Sequence, residues 1–364
     1  MKKLTDESYI QLALEIAKKG TGEVSPNPLV GCILVKNDRI IGAGYHQKFG
    51  ANHAEINAIE NARESIEGST LFINLEPCSH YGKTPPCVDK IIENKIKRVV
   101  IGTLDMNPLV SGNGVKKLKS AGIDVRVGVL ENDCINLNKF FFKYITKKIP
   151  YISLKAAQTL DGKIADAKGI SQWISSMQSR RFVHKLRANY DAVLVGAGTV
   201  GKDDPSLTVR LTDGRNPKRI ILDSSLNLKT DKKLFSKNND RKTILVTSRI
   251  NNGKRKVKKL ENLGVSVLFA KEDKDGSLNI KSVLRELAKN NIASVLVEGG
   301  SRVFSSFIRS NHYDDIFLFI SPKIIGDGIP VVENIGVRSI KRPLNVKIKS
   351  YEPVGEDLLL ILEK

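Results

Sequence analysis

The sequence predicts an α/β protein made of two consecutive domains, and three observations carry that prediction. Short apolar runs bounded by turn residues alternate with helical periodicity along the chain. A polar stretch over 132–150 separates two such blocks, and an apolar strand at 151–158 opens the second. The length, 364 residues, suits two domains of ordinary size, and 41% hydrophobic with 27% charged residues is enough to bury their cores.

The first block opens with an amphipathic helix over 4–19. Leu4, Ile10, Leu14 and Ala17 recur at near-helical spacing, Thr5 or Asp6 can cap it, and Gly20 stops it. Pro26-Asn27-Pro28 stiffens the approach to a strand at 29–35. Asn37-Asp38 turns the chain and 39–45 returns as the partner strand, where Gly42 and Gly44 leave room for a close neighbour. A helix over 51–64 follows, with Asn52 as its cap. Strand 69–75, helix 88–94, strand 98–103, a helix near 115–121 and strand 124–129 complete a three-layer unit.

The chemistry of this block gathers at His53-Ala54-Glu55 and at Pro77-Cys78, with Cys87 beyond. One imidazole and two thiols are ligands for a soft divalent metal, and zinc favours such a set in tetrahedral geometry. Three protein ligands leave the fourth corner to water, which the ion acidifies. Glu55 needs no place among the ligands and can move protons between that water and a leaving amine. The order H-x-E then P-C is that of zinc deaminases, whose second Cys follows after two residues. Here eight residues intervene, 79–86. Cys87 opens the helix after Pro85-Pro86, and Cys78 lies just past a strand end, so the spacing should place both thiols where their charge is helped. The bland alternative is a pair of reduced core cysteines and a surface histidine. Asp105 and Asn107 follow a strand end, a common place for ligand groups, but both can equally be ordinary polar loop residues.

In the second block, strands are expected at 151–158, 191–195, 243–247, 293–297 and 314–321, with closing strands within 344–362. Helices are expected at 254–263, 280–289 and 302–309, and residues 224–290 read as scaffold. Gly196-Ala197-Gly198-Thr199-Val200-Gly201 matches the dinucleotide fingerprint G-x-G-x-x-G, with Asp223 beyond a later strand. That fingerprint must open a helix. The segment that follows, 202–210, carries Pro205 and no helical periodicity, so no helix is predicted there. Glu298-Gly299-Gly300-Ser301 before a helix supplies free backbone N–H groups for an anion, and cofactor phosphate is expected there.

The net charge is +20, from 59 basic and 39 acidic residues. That balance can attract nucleic acid, but the lysines are scattered, and phosphorylated small molecules suit the same field. The densest basic run, 254–260, reads as a solvated helix face with Val257 and Leu260 inward. Four cysteines in so long a chain argue against a disulfide framework. Cys32 lies in an apolar run and Cys134 in the polar connector. No run reaches membrane-span length, and no signal-type apolar segment follows the first residues, so a cytoplasmic protein is expected.

The run Pro77-Cys78-Ser79-His80-Tyr81-Gly82-Lys83-Thr84-Pro85-Pro86-Cys87 has the form P-C-x-H-x-G-x-T-P-P-C. It resembles the deaminase half of the bifunctional riboflavin-biosynthesis deaminase/reductases. The run from Ser153 to Ala165 and the pattern Gly196, Thr199, Asp203, Pro205, Leu207, Thr208, Arg210 resemble the reductase half of the same family.

The resemblance implies a cytidine-deaminase-like three-layer α/β/α domain at 1–147 and a dihydrofolate-reductase-like α/β domain at 148–364. It implies zinc on His53, Cys78 and Cys87 with Glu55 as proton shuttle, and NADPH as the second cofactor. It places His46, His80, Lys83, Asp105 and Asn107 against a phosphorylated pyrimidine in the first site. In the second it places Ala157, Trp173, Thr199, Asp203, Gly300, Ser301 and Arg302 against the cofactor. Lys155, Ser171, Arg187, Leu207, Arg210 and Glu298 then face the substrate, the two arginines at its phosphate. Lys155 and Glu298 are the candidate proton donors. Trp173, the single Trp, can otherwise be a core aromatic. The family also implies a homo-oligomer acting on small molecules, with no nucleic-acid or membrane partner. Two other readings are a nucleic-acid deaminase with an accessory domain and a zinc-stabilised binding protein without activity.

Overall fold

The computed structural model describes residues 4–80, 85–107 and 110–364. The chain divides into two compact units, Met1–Lys148 and Ile149–Lys364.

The first unit runs α1 (Asp6–Ala17), β1 (Gly31–Lys36), β2 (Arg39–Tyr45), α2 (Ala54–Glu60), β3 (Thr70–Leu75), α3 (Cys87–Glu93), β4 (Arg98–Thr103), α4 (Asn113–Ser120), β5 (Asp124–Val127), α5 (Glu131–Leu137) and α6 (Lys139–Lys147). Thr5 caps α1 by accepting from Ser8 N. Five strands form one sheet in the order β2-β1-β3-β4-β5, antiparallel on the β1 side and parallel from β3 to β5. Alternate residues point to opposite faces. Ile33, Val35, Phe72 and Val100 meet α1 on one face. Leu34, Leu71, Ile73 and Ile101 meet α2, α3 and α4 on the other. Gly44 has the close neighbour its position suggested: a Cβ there would sit 2.3 Å from Ala58 N, so only glycine lets α2 lie flush on β2.

Two details differ from the sequence reading. Helix α2 begins later, with His53 itself in the capping position and no cap from Asn52. The supposed connector 132–150 is helical: α6 buries Phe142, and Cys134 in α5 is wholly buried against the sheet. Three consecutive phenylalanines blur the period of α6, because only one faces the core.

The second unit runs β6 (Tyr151–Thr159), β7 (Lys163–Asp166), α7 (Met177–Asn189), β8 (Ala192–Gly196), α8 (Ala197–Asp203), β9 (Lys218–Leu222), α9 (Lys233–Ser236), β10 (Thr243–Ser248), α10 (Arg255–Asn262), β11 (Ser266–Ala270), α11 (Ile280–Lys289), β12 (Ser294–Val297), α12 (Ser301–Arg309), β13 (Asp315–Ser321), β14 (Gly328–Pro330), β15 (Lys347–Val354) and β16 (Asp357–Glu363). Its main sheet has the order β11-β10-β9-β8-β12-β6-β13-β16-β15. It is parallel from β11 to β13 and antiparallel through β16 and β15. β7 and β14 pair separately.

The expectation that no helix opens at Gly196 is overturned, because α8 starts there with Gly196 as its cap. The helix is seven residues long and buries only Val200, so it has almost no apolar period to read. Helix α7 was also unread: its buried positions are Ser179, Val183, His184 and Leu186, half of them polar. No helix among the described residues is long and apolar enough to cross a membrane.

Two candidate active sites

Both sites lie where parallel strands end at their carboxyl edges, the usual place for ligands in open α/β sheets. In the first unit, β3 delivers Glu76, Pro77 and Cys78, α3 opens with Cys87, and α2 opens with His53 as cap and Glu55 in its first turn. The ligand atoms of His53, Cys78 and Cys87 lie within 4.8 Å of one another. His53 Nδ1 is 3.6 Å from Cys78 Sγ and 3.3 Å from Cys87 Sγ. Zinc–nitrogen and zinc–sulfur bonds of ordinary length at tetrahedral angles set that edge at about 3.6 Å, so the trio fits zinc. Among the described residues no fourth His, Cys, Asp or Glu joins it. The bland reading of two reduced core cysteines and a surface histidine does not account for this convergence.

Glu55 is almost fully buried beside the trio. Burial, with the Cys78 sulfur adding, pushes its carboxyl up to about 7. Such a group can both take and give a proton near neutrality. The helix N-terminus helps Cys78, as expected, but not Cys87. Cys87 N donates to Cys78 Sγ at 3.3 Å, so the start of α3 favours charge on Cys78. Hydrogen bonding from Cys87, opposed by burial and aided by His53, lowers the Cys78 thiol to about 4. Cys87, facing that sulfur in a buried place, is pushed up. Deprotonating both therefore needs a cation between them.

A cavity of about 330 Å³ opens over these groups. His46, His80, Asp105 and Asn107 all line it, and Lys83 lies outside the described residues. His46 is not free to bind through its ring nitrogens. Nδ1 donates to Asn52 O at 3.0 Å, which leaves Nε2 to accept from Asn27 Nδ2 at 3.2 Å. The ring thus orients Asn27, whose side chain also lines the cavity. Asn27 went unread because Pro-Asn-Pro signalled only a stiff turn.

Glu76 was missed as well. Its buried carboxylate accepts from four backbone N–H groups: Asp105 at 3.2 Å, Gly112 at 2.9 Å, Gly114 at 2.9 Å and Val115 at 3.2 Å. It ties the loop bearing Asp105 and Asn107 to the strand end bearing Cys78. Asp105 Oδ1 in turn accepts from Asn107 N at 2.7 Å. Burial raises the Asp105 carboxyl to about 6.

The second unit has a cavity of about 560 Å³ at the ends of β6, β8 and β12. Lys155, Ala157, Ser171, Trp173, Thr199, Asp203, Leu207, Arg210 and Gly300 line it, as do Arg187 and Glu298. Ser301 and Arg302 do not: Ser301 is buried with its hydroxyl donating to Val331 O, and Arg302 is exposed elsewhere. Trp173 is no core aromatic. It is 62% exposed and stacks with Arg180, whose guanidinium carbon lies 4.0 Å from the ring centroid. Lys323 Nζ donates to the carbonyls of Trp173 and Ile174 and so fixes that loop. Helix α8 reaches this cavity with Thr199 and Asp203 and α12 starts at it, each helix capped by a glycine. A Cβ on Gly299 would lie 2.6 Å from Val303 Cβ, so glycine is required for α12 to begin there.

Arg187 and Glu298 hold each other across the floor. Burial works against charge on Glu298, but Arg187, with Lys155 behind it, outweighs burial and keeps the carboxyl below its usual range. Lys155 sits below the ordinary lysine range. Burial lowers it, Glu298 opposes, and Arg187 adds to the lowering.

Comparison with known proteins agrees with both halves. The family model "RibD C-terminal domain" matches residues 150–360, and "Cytidine and deoxycytidylate deaminase zinc-binding region" matches 3–103. The chain is 47% identical over 360 residues to riboflavin biosynthesis protein RibD of Aquifex aeolicus (strain VF5), covering 99% of this chain and 98% of that one. A crystal structure of a diaminohydroxyphosphoribosylaminopyrimidine deaminase/5-amino-6-(5-phosphoribosylamino)uracil reductase from Thermotoga maritima superposes with TM-score 0.88 at 45% identity, covering 98% of each chain. Acinetobacter baumannii RibD, form 1, gives 0.89 at 35% identity, again covering 98% of each.

Proposed function

The chain belongs to the RibD family of riboflavin-biosynthesis deaminase/reductases, and from that membership and the two sites we propose how its residues divide the work. It is a bifunctional enzyme of the riboflavin pathway. It removes the amino group of a diamino-phosphoribosylamino-pyrimidinone by hydrolysis, then reduces the ribosyl side chain to ribityl with NADPH. We assign the first step to residues 1–147 and the second to 148–364.

The observation that carries the first assignment is the trio His53, Cys78 and Cys87 with Glu55 buried beside it and outside the ligand set. Zinc supplies an acidified water and a polarising charge. Glu55 takes the proton and delivers it to the departing ammonia. Asn27, oriented by His46, and the loop held by Glu76 orient the pyrimidine. His80, Lys83, Asp105 and Asn107 complete its surroundings.

In the second site NADPH supplies hydride. The Gly299-Gly300 start of α12 would hold cofactor phosphate, and Ala157, Trp173, Thr199 and Asp203 would line the rest of the cofactor. Ser171, Leu207, Arg210 and Arg187 surround the substrate, Arg210 at its phosphate. Arg187 acts here mainly through Glu298. Because Glu298 stays ionised, Lys155 is the proton donor to the opening ribose oxygen. The nucleic-acid reading is not favoured, because relatives and family models of a deaminase joined to a riboflavin-pathway reductase match along the chain. We place the protein in the cytoplasm and as a homo-oligomer. The edge strand β15, with Ile348 59% and Tyr351 73% exposed, supports self-association, which sedimentation would check.

The test measures ammonia release and NADPH oxidation with wild type and Glu55→Gln. The reading stands if the variant loses ammonia release yet still oxidises NADPH on the deaminated intermediate. Wild type releasing no ammonia from this substrate overturns it.

A further inference from the structure

After α8 the chain from Asp204 to Leu211 runs without helix or strand, and Asp204 and Leu207 take left-handed backbone. Main-chain groups of such a segment must find partners outside any ladder. Here side chains supply them. Arg187 Nη1 donates to Thr208 O at 3.1 Å, and Asn216 Oδ1 accepts from Val209 N at 2.8 Å. His184 Nδ1 accepts from Arg210 N at 2.8 Å and from Leu211 N at 3.4 Å. Among the described residues the Arg210 guanidinium bonds back to Thr208 Oγ1, at 3.2 Å, and is otherwise exposed to the cavity.

His184 shares one face of α7 with Arg180, Val183 and Arg187, at helical spacing, and all four line the cavity. Two N–H groups directed at Nδ1 require its lone pair, which puts the ring proton on Nε2. The imidazole is thus a fixed acceptor built into the helix, aimed at the backbone of the residue whose side chain faces the substrate. Nothing in the sequence motif around Arg210 contains this group, which stands 26 positions earlier.

We infer that His184 is a positioning residue of the reductase: its Nδ1 fixes the main chain at Arg210 and so aims the Arg210 guanidinium at the phosphate of the substrate. The inference rests on the reading that Arg210 faces that phosphate. Its action is through Arg210, so it serves recognition of a phosphorylated substrate and not hydride transfer.

Two substitutions separate the ring's nitrogens. In Asn the Oδ1 atom lies as many bonds from Cα as Nδ1 does and keeps the acceptor. Gln reaches only the Nε2 position and loses it. Full-length His184→Asn, His184→Gln and Arg210→Gln are compared with wild type on the deaminated substrate, with and without its phosphate. His184→Gln should raise KM for the phosphorylated substrate by about tenfold or more, with kcat and the KM for NADPH little changed. His184→Asn should recover KM to within about threefold of wild type, which also shows that a loss in the Gln variant is not misfolding. On the dephosphorylated substrate the variants should match one another. If Asn is as damaging as Gln, or if the Gln effect is equal on both substrates, the inference is overturned. If Arg210→Gln keeps the full preference for phosphorylated substrate, the reading of Arg210 itself falls and the inference with it. If Arg210→Gln loses that preference and His184→Gln does not, the inference alone falls.

Discussion

Arg187 and Glu298 meet fork to fork, Nε to Oε1 at 2.6 Å and Nη2 to Oε2 at 2.9 Å, with side chains only 13% and 9% exposed. The pair joins α7 to the end of β12 and leaves one guanidinium nitrogen to hold Thr208 O. A bidentate pair of this kind fixes direction as well as charge. Removing one partner leaves the other buried and uncompensated. Glu298→Gln should therefore destabilise the second unit by about 3 kcal/mol. Urea unfolding followed by tyrosine and tryptophan fluorescence would measure it. An unchanged midpoint would mean that water already neutralises the pair.

Glu298 also sets the proton affinity of Lys155. Burial lowers the lysine, the Glu298 carboxylate raises it, and Arg187 lowers it. A proton donor works while protonated, so reductase activity should fall as pH rises through a value below the ordinary lysine range. Taking away the Glu298 charge removes the one opposing influence. In Glu298→Gln the alkaline limb of kcat should consequently move to lower pH. Lys155→Met should abolish the limb together with most of the turnover. A limb that moves upward in Glu298→Gln would exclude Lys155 as the titrating group.

The zinc ligands were legible because their chemistry is local. His53, Cys78 and Cys87 each sit at a helix start or strand end that turn residues announce, and few residue types bind the metal. Glu55 was legible for the same reason. The groups that hold these sites in shape were not. Glu76 reads as one more acidic residue, since its four partners are backbone amides of 105–115. Backbone partners leave no mark on a sequence. His184 is hidden likewise, and Arg187 and Glu298 became a pair only once 111 positions of chain were folded between them. Helix α8 is hidden in the sequence because Pro205 and the aperiodic segment 202–210 follow it, and tertiary placement overrode that local pattern.

Glu76 gives the third prediction. Glu76→Gln keeps the size of the side chain but turns one acceptor oxygen into an amide donor facing N–H groups. At least two of the four backbone donors then lose their partner in a buried place, each at about 1–3 kcal/mol. The loop of Asp105 and Asn107 should loosen while the trio keeps its metal. The KM of deamination should rise by about tenfold or more with bound zinc still stoichiometric, and reductase kinetics should be unchanged. Ammonia release with metal analysis on the same sample checks this, and loss of zinc from the variant would instead place Glu76 in support of Cys78.

Metal removal separates an enzyme site from a structural one. The first unit rests on two apolar clusters either side of its sheet, led by Leu34, Leu71, Ile73 and Ile101 on one face and by Ile10, Ile33 and Phe72 on the other. Neither cluster depends on His53 or Cys78. Chelation should therefore abolish ammonia release and leave the far-ultraviolet circular dichroism intact, with NADPH oxidation on the deaminated intermediate preserved. Glu55→Gln should reproduce the loss, by about 10²–10⁴-fold, with zinc still bound. A metal that only stabilised the fold predicts the reverse: unfolding on chelation and full function in Glu55→Gln.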